Sequence, residues 1–303
     1  LTIIECFVYS YIKERIAKSF RHKVFIRKKK IYFCKKQETL CDMQKTKQLK
    51  VVLGGSGNLA WHLGYALQKN GIEILQIYGR NQTHIQALAK EWKVPHTHLL
   101  EQLTPHADMY IFALKDDAYA ELCSTFPFRN ACMVHTSGSV DNAIFQSLTP
   151  HGGVLYPFQT FTKGIELNFR DIPLCVDSHD SDCEQNVLLL ANKLSDHVYR
   201  INSNQRKSLH LSGVFACNFV NAMYYLAKNM AAENEIDFAL LRPLIAETAR
   251  KVQMHLPEEV QTGPAIRSDQ SIMSAHLEWL KDPQLKDLYV SISDIIFKMQ
   301  KTK

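Results

Sequence analysis

Long apolar runs are missing from this 303-residue chain. No uninterrupted stretch approaches the ~20 residues that a membrane-spanning helix needs. The opening residues lack the basic, apolar, small-residue order of a secretory signal. The eight cysteines (Cys6, Cys34, Cys41, Cys123, Cys132, Cys175, Cys183 and Cys217) form no C-x-x-C pair, which argues against a zinc site or a redox dithiol. Cys132 and Cys175 fall in strand-like runs and read as small buried hydrophobes. No internal repeat or low-complexity segment is visible. What remains is a chain with 46% hydrophobic and 22% charged residues, ordinary for a globular protein and long enough for two cores. Neither a metal nor a membrane partner is expected, and the expected setting is the reducing cytoplasm.

A net charge of +6 would suit a nucleic-acid partner, but its distribution does not. Residues 1–47 hold thirteen Lys/Arg and four Asp/Glu, a net of +9, which leaves −3 for the other 256 residues. The basic character belongs to the N-terminal piece, and no nucleic-acid partner is expected for the folded body. The favoured reading of 1–42 is upstream sequence translated ahead of a natural start at Met43. A basic arm for membrane surfaces or RNA, and a structural extension, are the alternatives.

From residue 49 strands and helices alternate. Leu49–Leu53 is a short β-branched run that ends in glycines. Asn58–Lys69 carries apolar residues at helical spacing and stops at Asn70-Gly71, as a helix ending on a C′ glycine does. A second strand (72–78), a second helix (83–92), a short third strand after Val94-Pro95 and the apolar strand Met109–Leu114 follow. Then come a helix (118–125), the strand Ala131–His135, strand candidates at 154–156 and 173–176, a helix (183–194) and the strand Val198–Ile201. This order predicts an α/β fold with a Rossmann-like, mostly parallel sheet. After Asn202 the pattern is helical only, with helices expected at 205–233, 238–255, 269–281 and 284–301. The expected organisation is a basic extension at 1–46, a dinucleotide-binding domain at 47–202 and an all-α domain at 203–303.

Gly54-Gly55-Ser56-Gly57-Asn58-Leu59-Ala60 contains G-x-G-x-x-A directly between a strand and a helix. Gly55 permits the tight turn, Gly57 lets backbone approach a diphosphate, and Ala60 lets helix and strand pack closely. The helix N-terminus then offers N–H groups to the anion. Gly55, Ser56, Gly57, Asn58 and Leu59 are therefore expected to bind the cofactor. An NAD-selective site usually has Asp or Glu at the end of the second strand. Tyr78-Gly79-Arg80-Asn81 has no acid there, which points to NADP(H), with Arg80 pairing the 2′-phosphate and Asn81 assisting. Ligands of such sheets bind at the carboxyl ends of the strands, so Leu114, Lys115, Thr136 and Ser137 are expected to border the nicotinamide half. Lys115 and His135 are also weighed as proton donors against a capping or solvated role.

In chain order, this turn, Gly79-Arg80-Asn81, Thr136-Ser137-Gly138 and an all-helical second half resemble the pyrroline-5-carboxylate reductase and 6-phosphogluconate-dehydrogenase-like superfamily. The resemblance is closer to a bacterial family that joins a Rossmann-like domain to a helical domain of unknown function and is labelled NADP oxidoreductase. Tyr156–Phe161, His210 with Phe215–Asn221, and Thr262–Asp269 carry it, over about residues 47–301. It implies a C-terminal domain like that of 6-phosphogluconate dehydrogenase, a homodimer built through it, and hydride transfer between NADPH and a small carbonyl or imine. Two departures stand out. The β-hydroxyacid dehydrogenase branch has a Lys with an Asn four residues on, whereas Lys207 is followed at that spacing by Leu211. The Ser-Pro-Gly-Gly-Thr-Thr segment of pyrroline-5-carboxylate reductase is replaced by Thr262-Gly263-Pro264-Ala265.

His210 and Asn218 are the candidate catalytic residues, with His210 the proton donor. On an ideal α-helix they stand about 80° apart and ~12 Å along the axis. His210, Asn218 and Asn221 interrupt an apolar helix, and buried polar groups there would need partners. Thr262 and Arg267 are the candidate substrate residues, Arg267 holding a carboxylate or pairing with Asp269; His276 reads as structural. The reading of function is an NADP(H)-dependent reductase or dehydrogenase, and the alternative is an NADP-binding sensor or scaffold without turnover.

Overall fold

The structure, a computed structural model, describes residues 48–300, and the expectations for 1–46 concern residues outside those described. The first half runs β1 (Lys50–Gly54), α1 (Asn58–Lys69), β2 (Glu73–Tyr78), α2 (Gln82–Trp92), β3 (His96–Thr97), β4 (Met109–Phe112), α3 (Ala118–Thr125) and β5 (Met133–His135). It continues with β6 (Gly152–Pro157), β7 (Leu174–Ser178), α4 (Ser181–Leu194) and β8 (Val198–Arg200). The eight strands form one sheet in the order β3-β2-β1-β4-β5-β6-β7-β8. Its first six strands have the 3-2-1-4-5-6 order of a dinucleotide-binding sheet. They are mutually parallel, β6 and β7 pair antiparallel, and β7 and β8 are parallel to each other. The turn of direction at β7 follows from its connection. Residues 158–173 hold no α-helix to carry the chain back across the sheet, and a parallel partner needs such a crossover.

Helices cover both faces of this sheet. Leu63 and Leu67 of α1, Ile85 and Leu88 of α2, and Val187 and Leu190 of α4 pack with Val51, Leu53, Ile77 and Ile111 in one core. Tyr119 and Leu122 of α3 pack with Tyr110, Phe112, Phe126 and Phe145 in another. Met109–Phe112 is buried throughout, as a strand covered on both faces must be. Helix ends follow their side chains. Asn81 and Asp180 cap α2 and α4 through His84 N and Cys183 N, and Gly71 takes φ +71° just past α1. Cys175 is buried in β7, but Cys132 lies just ahead of β5, half-buried, with its Sγ 3.2 Å from that of Cys183. The fold thus pairs two thiols that C-x-x-C spacing could not reveal.

From Asn202 on, the described residues are helical: α5 (Ser203–Gly213), a π-helical stretch at Val214–Phe219, α6 (Val220–Ala232), α7 (Arg242–Val252), α8 (Pro257–Val260), α9 (Gln270–Trp279) and α10 (Pro283–Gln300). Two expectations change here. The helix expected over 205–233 is not α-helical throughout, because Val214–Phe219 is wound as π-helix, so the ideal spacing between His210 and Asn218 does not apply. The helix expected from Phe238 divides into a 3-10 turn, Phe238–Leu241, and α7 from Arg242, since Pro243 has no N–H and fits only the first turn.

The chain falls into two compact units, one ending at Phe215 and the other starting at Ala216. Helix α5 belongs with the sheet. Leu209 packs against Val154, Tyr156 and Cys175, and the fully buried Arg206 binds Asp177 Oδ2 (3.2 Å) and Val140 O (2.6 Å). In the second unit only Ala265 and Ser293 are buried among the described residues. No described helix is long and apolar enough to cross a membrane, and no three described His, Cys, Asp or Glu are grouped to hold a metal ion.

Candidate dinucleotide and proton-transfer site

The glycine turn sits at the carboxyl end of β1, tied to both neighbouring strands. Gly55 N donates to Tyr78 O and Ala113 N donates to Gly54 O, each at 2.7 Å. Gly55 has φ +122°, and a Cβ there would lie 2.3 Å from Ala113 O and 3.4 Å from Ala60 Cβ. Only glycine meets both demands. At Gly57 the opposite holds, because a Cβ would meet nothing within 4 Å. The chain is therefore bare where an incoming group would need room. Gly57 caps α1 without a side-chain hydrogen bond, and no acid stands in the first turn. The first N–H groups of α1 are thus left for an anion. Together these features fit the diphosphate of a dinucleotide.

Arg80 and Asn81 follow β2 and are exposed. The Arg80 guanidinium is 3.4 Å from Glu121 Oε2 on α3, over a shallow depression lined by Tyr78, Leu100, Leu114 and Leu122. A solvated ion pair of this kind is weak enough for a phosphate to replace. Asn81 Oδ1 accepts the α2 capping bond at 2.9 Å. Lys115 is exposed after β4, and its backbone carbonyl receives Ala118 N at 3.0 Å.

The end of β5 is closed rather than open. His135 is fully buried between the rings of Tyr119 and Phe145, and its Nδ1 accepts Ser137 N at 3.2 Å. Burial, aided by the nearby Arg206 cation, lowers its pKa to about 3. A neutral ring sealed from water is no proton donor near pH 7, so of the two roles weighed for His135 the structural one applies. Thr136 and Ser137 are also buried, and Ser137 Oγ accepts the N–H groups of Ser139 and Val140 at 3.0 Å each.

His210 is exposed on α5, and its Nδ1 shares a 3.0 Å hydrogen bond with the hydroxyl of Tyr156, the nearly buried penultimate residue of β6. Burial raises the Tyr156 pKa to about 12, so the phenol keeps its proton at neutral pH. Gly138 makes the pair possible. A Cβ there would lie 2.7 Å from His210 Nδ1 and 2.9 Å from Tyr156 Cζ. The sequence singles out His210, whereas Tyr156 enters it only through a strand candidate and a motif, and Gly138 only through the Thr136-Ser137-Gly138 segment. Their partnership spans 54 residues and leaves no local signal. Lys207, the residue without its expected Asn partner, lies 3.7 Å from Asp141 Oδ2.

The second unit holds the remaining expected residues. Asn218 and Asn221 are exposed rather than buried, so they do not need protein partners. Thr262 and Arg267 are exposed as well. Asp269 is turned to local work, its Oδ1 accepting Ile272 N and Ser271 Oγ at the start of α9. His276 Nδ1 shares a 2.9 Å hydrogen bond with Tyr289 OH, which suits a structural role. A cleft of about 410 Å³ lies elsewhere in the sheet unit, lined by Trp61, Tyr65, Lys69 and Arg170 among others, and includes none of the expected site residues.

The chain is similar to known proteins. A family described as a domain of unknown function, DUF2520, matches residues 172–296. A solved structure from Bacteroides fragilis, described as "putative NADP oxidoreductase BF3122", is 40% identical with TM-score 0.78, over 83% of this chain and 98% of that one. A pyrroline-5-carboxylate reductase from Streptococcus pyogenes shares the fold at 12% identity and TM-score 0.56, over 84% of this chain and 98% of its own. A reductive aminase from Aspergillus terreus, solved with NADPH and ethyl levulinate, does so at 10% identity and TM-score 0.61, over 84% and 95%. No curated protein matches.

Proposed function

This chain belongs to the family of the Bacteroides fragilis protein, a Rossmann-like sheet joined to a DUF2520 region, and from that premise we propose that it is an NADP(H)-dependent oxidoreductase acting on a small carbonyl or imine. The observation that carries the reading is the bare, uncapped glycine turn beside a strand end that bears Arg80 in place of an acid. Gly55 to Leu59 would hold the diphosphate, and Arg80 would exchange Glu121 for the 2′-phosphate. Bound NADPH would supply the hydride. The proton would come from His210. As an imidazolium, His210 would direct its Nδ1–H to the hydroxyl oxygen of Tyr156 and carry its second proton on Nε2, away from the tyrosine and free to pass to a substrate oxygen or nitrogen, which leaves a neutral ring. Asn218, Thr262 and Arg267 are the further side chains offered to a substrate, Arg267 suiting a carboxylate.

The second unit supports a homodimer as part of this reading. Leu240, Leu244 and Trp279 are 72%, 65% and 70% exposed while almost nothing in that unit is buried. Side chains of this kind gain stability when a second copy covers them. A cytoplasmic setting completes the proposal.

The test is NADPH oxidation with a panel of 2-oxo acids and cyclic imines. Turnover that His210→Ala abolishes supports the reading. Tight NADPH binding without turnover on any of them would favour the sensor, which the missing Asn partner of Lys207 supports.

A further inference from the structure

The chain between β6 and β7 takes an unexpected course. Its middle lies across the start of α1 and is pinned there from below. His62, a buried residue of α1, donates from Nε2 to Thr162 O at 2.9 Å. The Phe161 ring lies 5.3 Å from the His62 ring and stacks on Phe169 at 6.3 Å. A turn follows, closed by Ile165 N donating to Thr162 O at 3.2 Å. Lys163 stands inside this turn, and its Nζ donates to Ser56 O at 2.8 Å, 107 residues away in sequence. Ser56 lies between the two glycines of the cofactor turn.

The bond to Ser56 O uses one of the three ammonium donors. No carboxylate among the described residues pairs with Lys163, and none stands in the first turn of α1. The turn therefore combines uncapped N–H groups with an ammonium that forms no ion pair among the described residues. Arg80, at the end of β2, is a separate cation already engaged by Glu121.

We propose that Lys163 is a second cationic contact for the cofactor, directed at the diphosphate and supplied by the connection between β6 and β7, not by the glycine turn. The proposal rests on the cofactor reading above. It divides the work between two cations. Arg80 answers the 2′-phosphate that distinguishes NADPH from NADH, and Lys163 answers the charge that both carry. The anchoring through His62 explains how a lysine in an exposed loop can do this, since the backbone beside it is fixed against α1.

Calorimetric titration of the 303-residue chain and its Lys163→Met variant with NADPH and with NADH tests it. Loss of one charge-assisted hydrogen bond should weaken both cofactors about tenfold, with their affinity ratio unchanged. Lys163→Arg should restore most of the loss, and the unfolding midpoint without cofactor should not move. Wild-type affinity of Lys163→Met for both cofactors would overturn the proposal and leave the cofactor reading standing. Weakening of NADPH alone would also overturn it, by placing Lys163 at the 2′-phosphate. Failure of the wild-type chain to bind either cofactor would remove the cofactor reading and this proposal together.

Discussion

Val51, Leu53, Leu63, Leu67, Ile77 and Ile111 are fully buried in the sheet unit, whereas from Ala216 onward only Ala265 and Ser293 are buried among the described residues. Both stretches are rich in apolar residues, so composition does not separate them. The difference is closure. The sheet unit lays helices on both faces and completes its own cores, while the helical unit leaves Leu240, Leu244 and Trp279 in water. One unit has buried most of its large apolar side chains, and the other leaves several of its largest exposed.

The comparison can be broken at its firmest point first. Arg206 is wholly buried and binds Asp177, Val140 O and Ser203. Arg206→Ala should lower the unfolding free energy of the sheet unit by about 3–5 kcal/mol, read by denaturant titration. A cost within about 0.5 kcal/mol, the scale of an ordinary surface change, would mean that α5 is not held as described.

Next comes the exposed side. Replacing both Leu244 and Trp279 with Asp should weaken self-association about 30-fold or more, measured by sedimentation at micromolar concentration, with little change in the stability of the sheet unit. If the unaltered chain sediments as a monomer at every concentration, the homodimer is wrong.

Arg80→Asp should weaken NADPH by about 10–100-fold and leave NADH within a few-fold. An unchanged preference would show Arg80 to be a plain surface charge paired with Glu121.

The last effect is one of pH and is absent at neutrality. His135 has its pKa held down at about 3 by burial and by Arg206, against about 6.5 in an unfolded chain. Above pH 6.5 it is neutral in both states and its contribution is fully present. As pH falls below 6.5 the unfolded chain takes up a proton that the folded chain refuses. Stability then drops by about 1.4 kcal/mol per pH unit until about pH 3. His135→Phe should flatten that slope between pH 6 and pH 4. An equal slope in the variant would assign the loss to other groups.

Much of the sheet was legible because its signals are local. Strand–helix alternation, the glycine turn, the cap at Asn81 and the continuous apolar run at Met109–Phe112 each declare themselves within a few residues. The α3 bounds, Ala118–Thr125, match the expectation. The antiparallel β7 was hidden because strand direction depends on what the connection lacks, not on the strand. The π-helical stretch at Val214–Phe219 carries no periodic signature, and the structure offers no local reason for it. Within the candidate site, Arg80 was readable as a missing acid. Tyr156 with His210, Cys132 with Cys183, and Lys163 with Ser56 were not, because each pair joins residues more than fifty positions apart through the fold. The burial of His135 and the exposure of Asn218 are likewise set by tertiary packing, and sequence pattern alone left both residues as plausible polar actors.

The central claim is an NADP(H) site on the glycine turn, and equilibrium titration of the wild-type chain with NADPH and NADH, side by side in the same low-salt buffer, tests it most directly. NADPH should bind at least tenfold more tightly than NADH. Equal affinity, preference for NADH, or no binding of either would contradict it.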